Sequence, residues 1–159
     1  MSQTFNPELF LNTQITDASS TELLNVDEGE YLAISDPVTA ESFRDFNINK
    51  GERAGSKGYA LDINWSINDE TGAIKAKIGR PPRVRQSIML DIQNDGSLEM
   101  GAGRNVGLGQ LREALGQNLT GRPWSFSLLG GQVAKVKVKH RIDSVTGRTY
   151  VEVASVTKA

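Results

Sequence analysis

The sequence predicts an all-β dominated domain with one short helix, and three observations carry that expectation. Sixteen glycines are spread through 159 residues and fall between short apolar runs, the punctuation of an antiparallel sheet. Segments 59–67 and 132–142 alternate apolar and polar residues with a period of two, which turns one side of a strand to a core and the other to water. Only the stretch containing Leu108, Leu111 and Leu115 keeps helical spacing over two turns. The length suits a single domain, which at this size buries roughly 70% of its unfolded surface and needs no covalent staple.

Residues 1–28 show no sustained period and read as an acidic extension, with a helical turn possible at Phe5 and Leu9–Leu11; residues 29–159 form the domain proper. The first strand is Glu30–Ser35, ended by Pro37, which lacks a ladder donor. Residues 38–58 are polar and read as loop, with Phe43 and Phe46 inside it. Tyr59–Ile67 is a half-buried strand with Tyr59, Leu61, Ile63, Trp65 and Ile67 on its apolar side. Asn68–Gly72 reads as a hairpin turn, and Ala73–Gly79 as the returning strand with Lys75 and Lys77 outward. After Pro81 and Pro82, Ser87–Ile92 is a strand. Asn105 is the predicted N-cap of the one helix and Gly116 its left-handed terminator. Trp124–Leu129 reads as a strand, and Gln132–Ile142 with Arg148–Val156 as the closing hairpin.

With no cysteine, a disulfide framework, a zinc ribbon and a thiol nucleophile are excluded, in keeping with a reducing compartment. The opening MSQTFNPELF has no basic n-region and no apolar h-region, and no apolar run approaches the ~20 residues of a membrane span. A cytoplasmic protein with no membrane partner is expected. No Walker loop, HExxH or Gly-x-Ser-x-Gly motif occurs, and His140 is the single histidine, so neither an enzyme nor a cofactor is expected.

The net charge of −1 hides an asymmetry. Residues 1–49 hold nine acidic side chains and one basic one, whereas residues 50–159 hold 17 basic and ten acidic. A basic body concentrates polyanions around itself. Its most specific feature is the strand Val133–Ile142, where Lys135, Lys137, Lys139 and Arg141 share one side. Such positions recur every ~6.6–7 Å, close to the phosphate repeat of a nucleic-acid strand. The competing explanation is an edge strand guarded by lysines against pairing with another chain. Lys75, Lys77, Arg80, Arg83 and Arg85 form a second cluster, stiffened by Pro81 and Pro82. Trp124, next to the cation Arg122, and Tyr150 at the last hairpin are the candidate stacking positions for bases.

Taken together, several short motifs give the chain a family resemblance from about Asp27 to Val156. They are Glu28-Gly29-Glu30-Tyr31, Arg85-Gln86 before a buried strand, Glu113-Ala114-Leu115-Gly116 closing the helix, Leu119-Thr120-Gly121-Arg122 before an aromatic segment, and Thr146-Gly147-Arg148 at the final turn. In these the chain resembles small phage-encoded single-stranded DNA-binding proteins of a divergent OB-fold group. The resemblance implies an OB-like antiparallel β-barrel with an N-terminal extension. It also implies a sequence-independent coat on single-stranded DNA during phage replication or recombination in the infected host cell. Expected partners are single-stranded DNA, further copies of the chain in an oligomer or filament, and phage replication proteins. The alternative is a virion or assembly protein using the same basic surface.

Overall fold

The computed structural model describes residues 4–159, so the first three residues of the acidic extension lie outside the description. Strands β1 (Gly29–Ser35), β2 (Phe43–Asn47), β3 (Lys57–Ile67), β4 (Arg83–Leu90), β5 (Val133–Ile142) and β6 (Thr149–Lys158) form one sheet. Helices α1 (Pro7–Leu11), α2 (Ala73–Ile78) and α3 (Val106–Ala114) stand outside it, with single 3-10 turns at Ala40–Ser42 and Phe126–Leu129. With three helices among the described residues, the chain is a mixed α/β fold, which corrects the expected all-β dominated fold with one short helix.

All the ladders are antiparallel, in the order β2-β3-β1-β5-β6, with β4 along the other side of β3. One side of β3 is shared between two partners: β2 pairs with residues 57–61 and β1 with residues 65–67. The sheet is open, which corrects the expected OB-like barrel. β4 and β6 approach one another, yet no ladder joins them, and α3 packs against both. Leu108 and Leu111 of α3 are buried there, so the apolar face is covered by a helix where a barrel would be sealed by backbone hydrogen bonds.

The alternating face predicted for β3 is the heart of the core. Leu61, Ile63 and Trp65 are buried against Val84, Ile88, Leu129, Val136 and Val138, each contributing about 1.5–3 kcal/mol of apolar burial. The Trp65 indole N–H donates to Gln86 Oε1 at 2.9 Å, so the largest core side chain leaves no polar atom unpaired.

Three further expectations are corrected. Ala73–Ile78 is a helix and not a returning strand. Ile74 and Ile78 satisfy helical i, i+4 spacing as well as strand alternation, and Ala and Lys favour the helix. The Asp69 carboxylate accepts from the amides of Ile74 and Lys75 at 3.1 and 2.9 Å, and Gly72 and Gly79 bound the helix in left-handed conformations. The aromatic segment carries the Phe126–Leu129 turn instead of a strand. Phe126 packs edge-on against both Phe43 and Trp124. Residues 43–47, expected as loop, are strand β2, because polar side chains suit a strand whose ladder is supplied by β3 alone.

Among the described residues, no helix is long and apolar enough to cross a membrane. Nor is any group of three or more His, Cys, Asp or Glu side chains placed to hold a metal ion.

Candidate functional site

Register decides which cations share a surface, because directly opposed residues in a ladder project to the same side. The side of the sheet opposite the Trp65 core carries Glu30, Leu32 and Ile34 of β1 opposite Lys137, Lys135 and Val133 of β5. Across β6, Lys139 faces Glu152 and Arg141 faces Tyr150. The same side continues over β3 to Ser66, Asn64 and Asp62, opposed by Arg83, Arg85 and Ser87 of β4, and to Arg44 of β2 opposite Ala60. Thus Arg44, Arg83, Arg85, Lys135, Lys137, Lys139 and Arg141 lie on one outer face.

Strand β5 is hydrogen-bonded on both sides, to β1 and to β6. Its lysines therefore do not guard a sheet edge. Among the described ion pairs none involves Lys135, Lys137 or Lys139, whereas Arg141 is held by Glu152. That hydrogen bond holds the Arg141 guanidinium more firmly protonated than usual. Arg141 also lies over the Tyr150 ring, 4.8 Å from its centroid, so the predicted stacking residue sits beside the basic row. Three exposed apolar side chains, Leu32, Ile34 and Val133, border that row.

The second predicted cluster divides. Arg83 and Arg85 reach the outer face, but Lys75, Lys77 and Arg80 belong to α2 and the turn after it. There the acidic segment meets two of them: Lys77 Nζ donates to Asp27 at 2.6 Å and Arg80 to the Leu24 carbonyl at 3.0 Å. The hydrogen bond from Lys77 lowers the Asp27 pKa. Next to this contact Val26 is buried in the core and its carbonyl accepts from the His140 ring at 2.7 Å. A cleft of about 1020 Å³ lies alongside, between residues 21–27 and the β5–β6 turn.

Arg122 lies exposed in the loop before the Phe126 turn. The Trp124 ring is occupied: Arg112 stacks 4.2 Å from a ring centroid, Phe126 meets it edge-on, and its N–H donates to Gln117 Oε1 at 2.9 Å.

Asp62 and Arg44 are the residues that sequence reasoning missed. Asp62 projects to the outer face, yet its side chain is only 7% exposed. Oδ2 accepts from Arg44 Nε at 2.9 Å and Arg85 Nη2 at 3.1 Å, and Oδ1 from Ser87 Oγ at 2.6 Å. Burial pushes its pKa up, but the hydrogen bonds from Arg44 and Ser87, with the charges of Arg85 and Arg44, outweigh burial and hold it below the ordinary value. One step along the ladder Arg83 pairs with Asp36, which also accepts from Ser66 Oγ at 3.3 Å. No sequence signal marked Asp62 beyond its place among the polar alternates of β3, and Arg44 stood in a segment read as loop.

No family model matches the chain, and no curated protein matches it. Neither comparison supports the resemblance to phage single-stranded DNA-binding proteins, and the open sheet, with three helices among the described residues, removes the barrel that the resemblance implied.

Proposed function

We propose that this chain binds single-stranded DNA without sequence preference, along the outer face of its sheet. The observation that carries the reading is the register that gathers Arg44, Arg83, Arg85, Lys135, Lys137, Lys139 and Arg141 on one side of one sheet. A row of cations on a central strand, with no ion pair at Lys135, Lys137 or Lys139 among the described residues, has the spacing to follow consecutive phosphates. The neighbouring Leu32, Ile34 and Val133, with Tyr150 at the end of the row, offer apolar contact to unstacked bases. The test is fluorescence anisotropy with a labelled oligothymidylate over a range of salt. Affinity falling steeply with salt is the expected result, and a flat response contradicts phosphate neutralisation.

A second reading, an interaction module within a larger assembly, draws on the same three apolar side chains. It predicts stable association with particles and no affinity for a free oligonucleotide.

A further inference from the structure

The arginines of the outer face are not loose surface charges. Arg44 on β2 and Arg85 on β4 reach across β3 from opposite sides and meet on one oxygen of Asp62. Their Asp62-bonded nitrogens therefore lie within about 6 Å of each other, which sets the two guanidiniums side by side on this face, where a tetrahedral anion takes charge-assisted hydrogen bonds from the nitrogens left free. Asp62 is saturated by Arg44, Arg85 and Ser87, and the two guanidiniums outnumber it by one positive charge. Both arginine side chains stay accessible, 44% and 62% exposed. Arg44 takes up its Asp62 bonds through Nε and Nη2 and Arg85 through Nη2, so Nη1 of Arg44 and Nε and Nη1 of Arg85 make no bond to the carboxylate. The Phe46 ring, 5.5 Å from the Arg44 guanidinium, supports it further. A guanidinium already fixed in direction loses less freedom when it takes a ligand.

We propose that Arg44 and Arg85, oriented by the buried carboxylate of Asp62, form a specific site for one phosphate group. This deepens the DNA-binding reading by giving one phosphodiester of a bound strand a fixed seat, while Lys135, Lys137 and Lys139 supply diffuse attraction. The site takes the same chemistry from free phosphate.

Removing the negative charge of Asp62 separates a built site from general attraction. Asp62→Asn makes the face more positive, so charge alone predicts tighter binding. Loss of the orienting carboxylate predicts weaker binding, by about tenfold, the worth of one charge-assisted hydrogen bond. Glu152→Gln adds the same charge by releasing Arg141 and should tighten oligothymidylate binding. Nitrogen-15 NMR of the arginine side chains in the full chain, titrated with inorganic phosphate, should show saturable shifts at the Arg85 Nε–H and at the Arg44 Nη groups that vanish in Asp62→Asn. Should that variant fail to fold, Arg44→Lys keeps the charge, loses the fork, and should abolish the saturable shift.

Linear phosphate shifts overturn the proposal, as does an Asp62→Asn variant, or Arg44→Lys in its place, that binds oligothymidylate and phosphate as tightly as the parent. Saturable phosphate binding without oligothymidylate affinity upholds the site and sinks the DNA-binding reading. Oligothymidylate binding that tightens in Asp62→Asn does the reverse.

Discussion

Replacing Lys135, Lys137 and Lys139 together with glutamine removes the unpaired part of the β5 row and leaves Arg141 tied to Glu152. From Lys135 to Arg141 the outward positions span about 20 Å, enough to meet consecutive phosphates one for one. Each phosphate neutralised on a single strand contributes about −0.7 to the slope of log K against log salt. Three lysines thus account for a slope of about −2, or roughly a 20-fold loss of affinity between about 50 and about 200 mM salt. The triple variant should bind an oligothymidylate more weakly and show a slope shallower by about 2, both read by fluorescence anisotropy. All three side chains are exposed on the face away from the core, so the thermal unfolding midpoint should stay within a few degrees of the parent. A variant with an unchanged slope and a normal melt refutes the assignment of these lysines to phosphate contact.

Trp124→Phe should lower stability through loss of the Arg112 and Gln117 contacts while leaving oligothymidylate affinity within about twofold; Tyr150→Ala, on the outer face, should weaken that affinity by about 1 kcal/mol or more, both measured in the same titration. Gly130→Ala places a Cβ 2.9 Å from the Pro37 Cα and 3.1 Å from the Val38 nitrogen, so urea unfolding should report a loss of about 1–3 kcal/mol. Because the Asp62 pKa is lowered in the folded state, its contribution is fully present above its unfolded value, near 3.8, and is lost as pH falls through the lower folded value. Melting temperatures of Asp62→Asn should accordingly be lower than the parent's at neutral pH and converge with them in acid.

Much of the fold was legible because alternation is a local property. β1, β3, β5 and β6 lie within a few residues of where alternating runs placed them, and so does α3 from its leucines. Local pattern failed where one segment satisfied two periods. Ile74 and Ile78 fit a strand and a helix equally, and the deciding contact came from Asp69, in the preceding turn. Asn105 is at the predicted helix start, but its side chain caps nothing. It bonds the backbone of Asp91 and Glu99, at 2.7 to 3.0 Å, a link that only the packed loop supplies.

By itself the sequence determined the alternating core strands, the separation of an acidic first third from a basic remainder, and the four cations on one side of β5. Each follows from the fixed two-residue repeat of a strand or from simple charge. Tertiary structure alone decided that the sheet stays open, because closure depends on whether β4 and β6 exchange hydrogen bonds. It also decided that β5 lies inside the sheet, so that its lysines are not edge guards. The basic segment 75–85 was divided in the same way, with Lys77 and Arg80 turned to the acidic segment and Arg83 and Arg85 to the outer face. Finally, it brought Arg44 to Asp62 and Arg85. Residues on three strands become neighbours through register, and register is a property of paired strands that no single stretch of sequence contains.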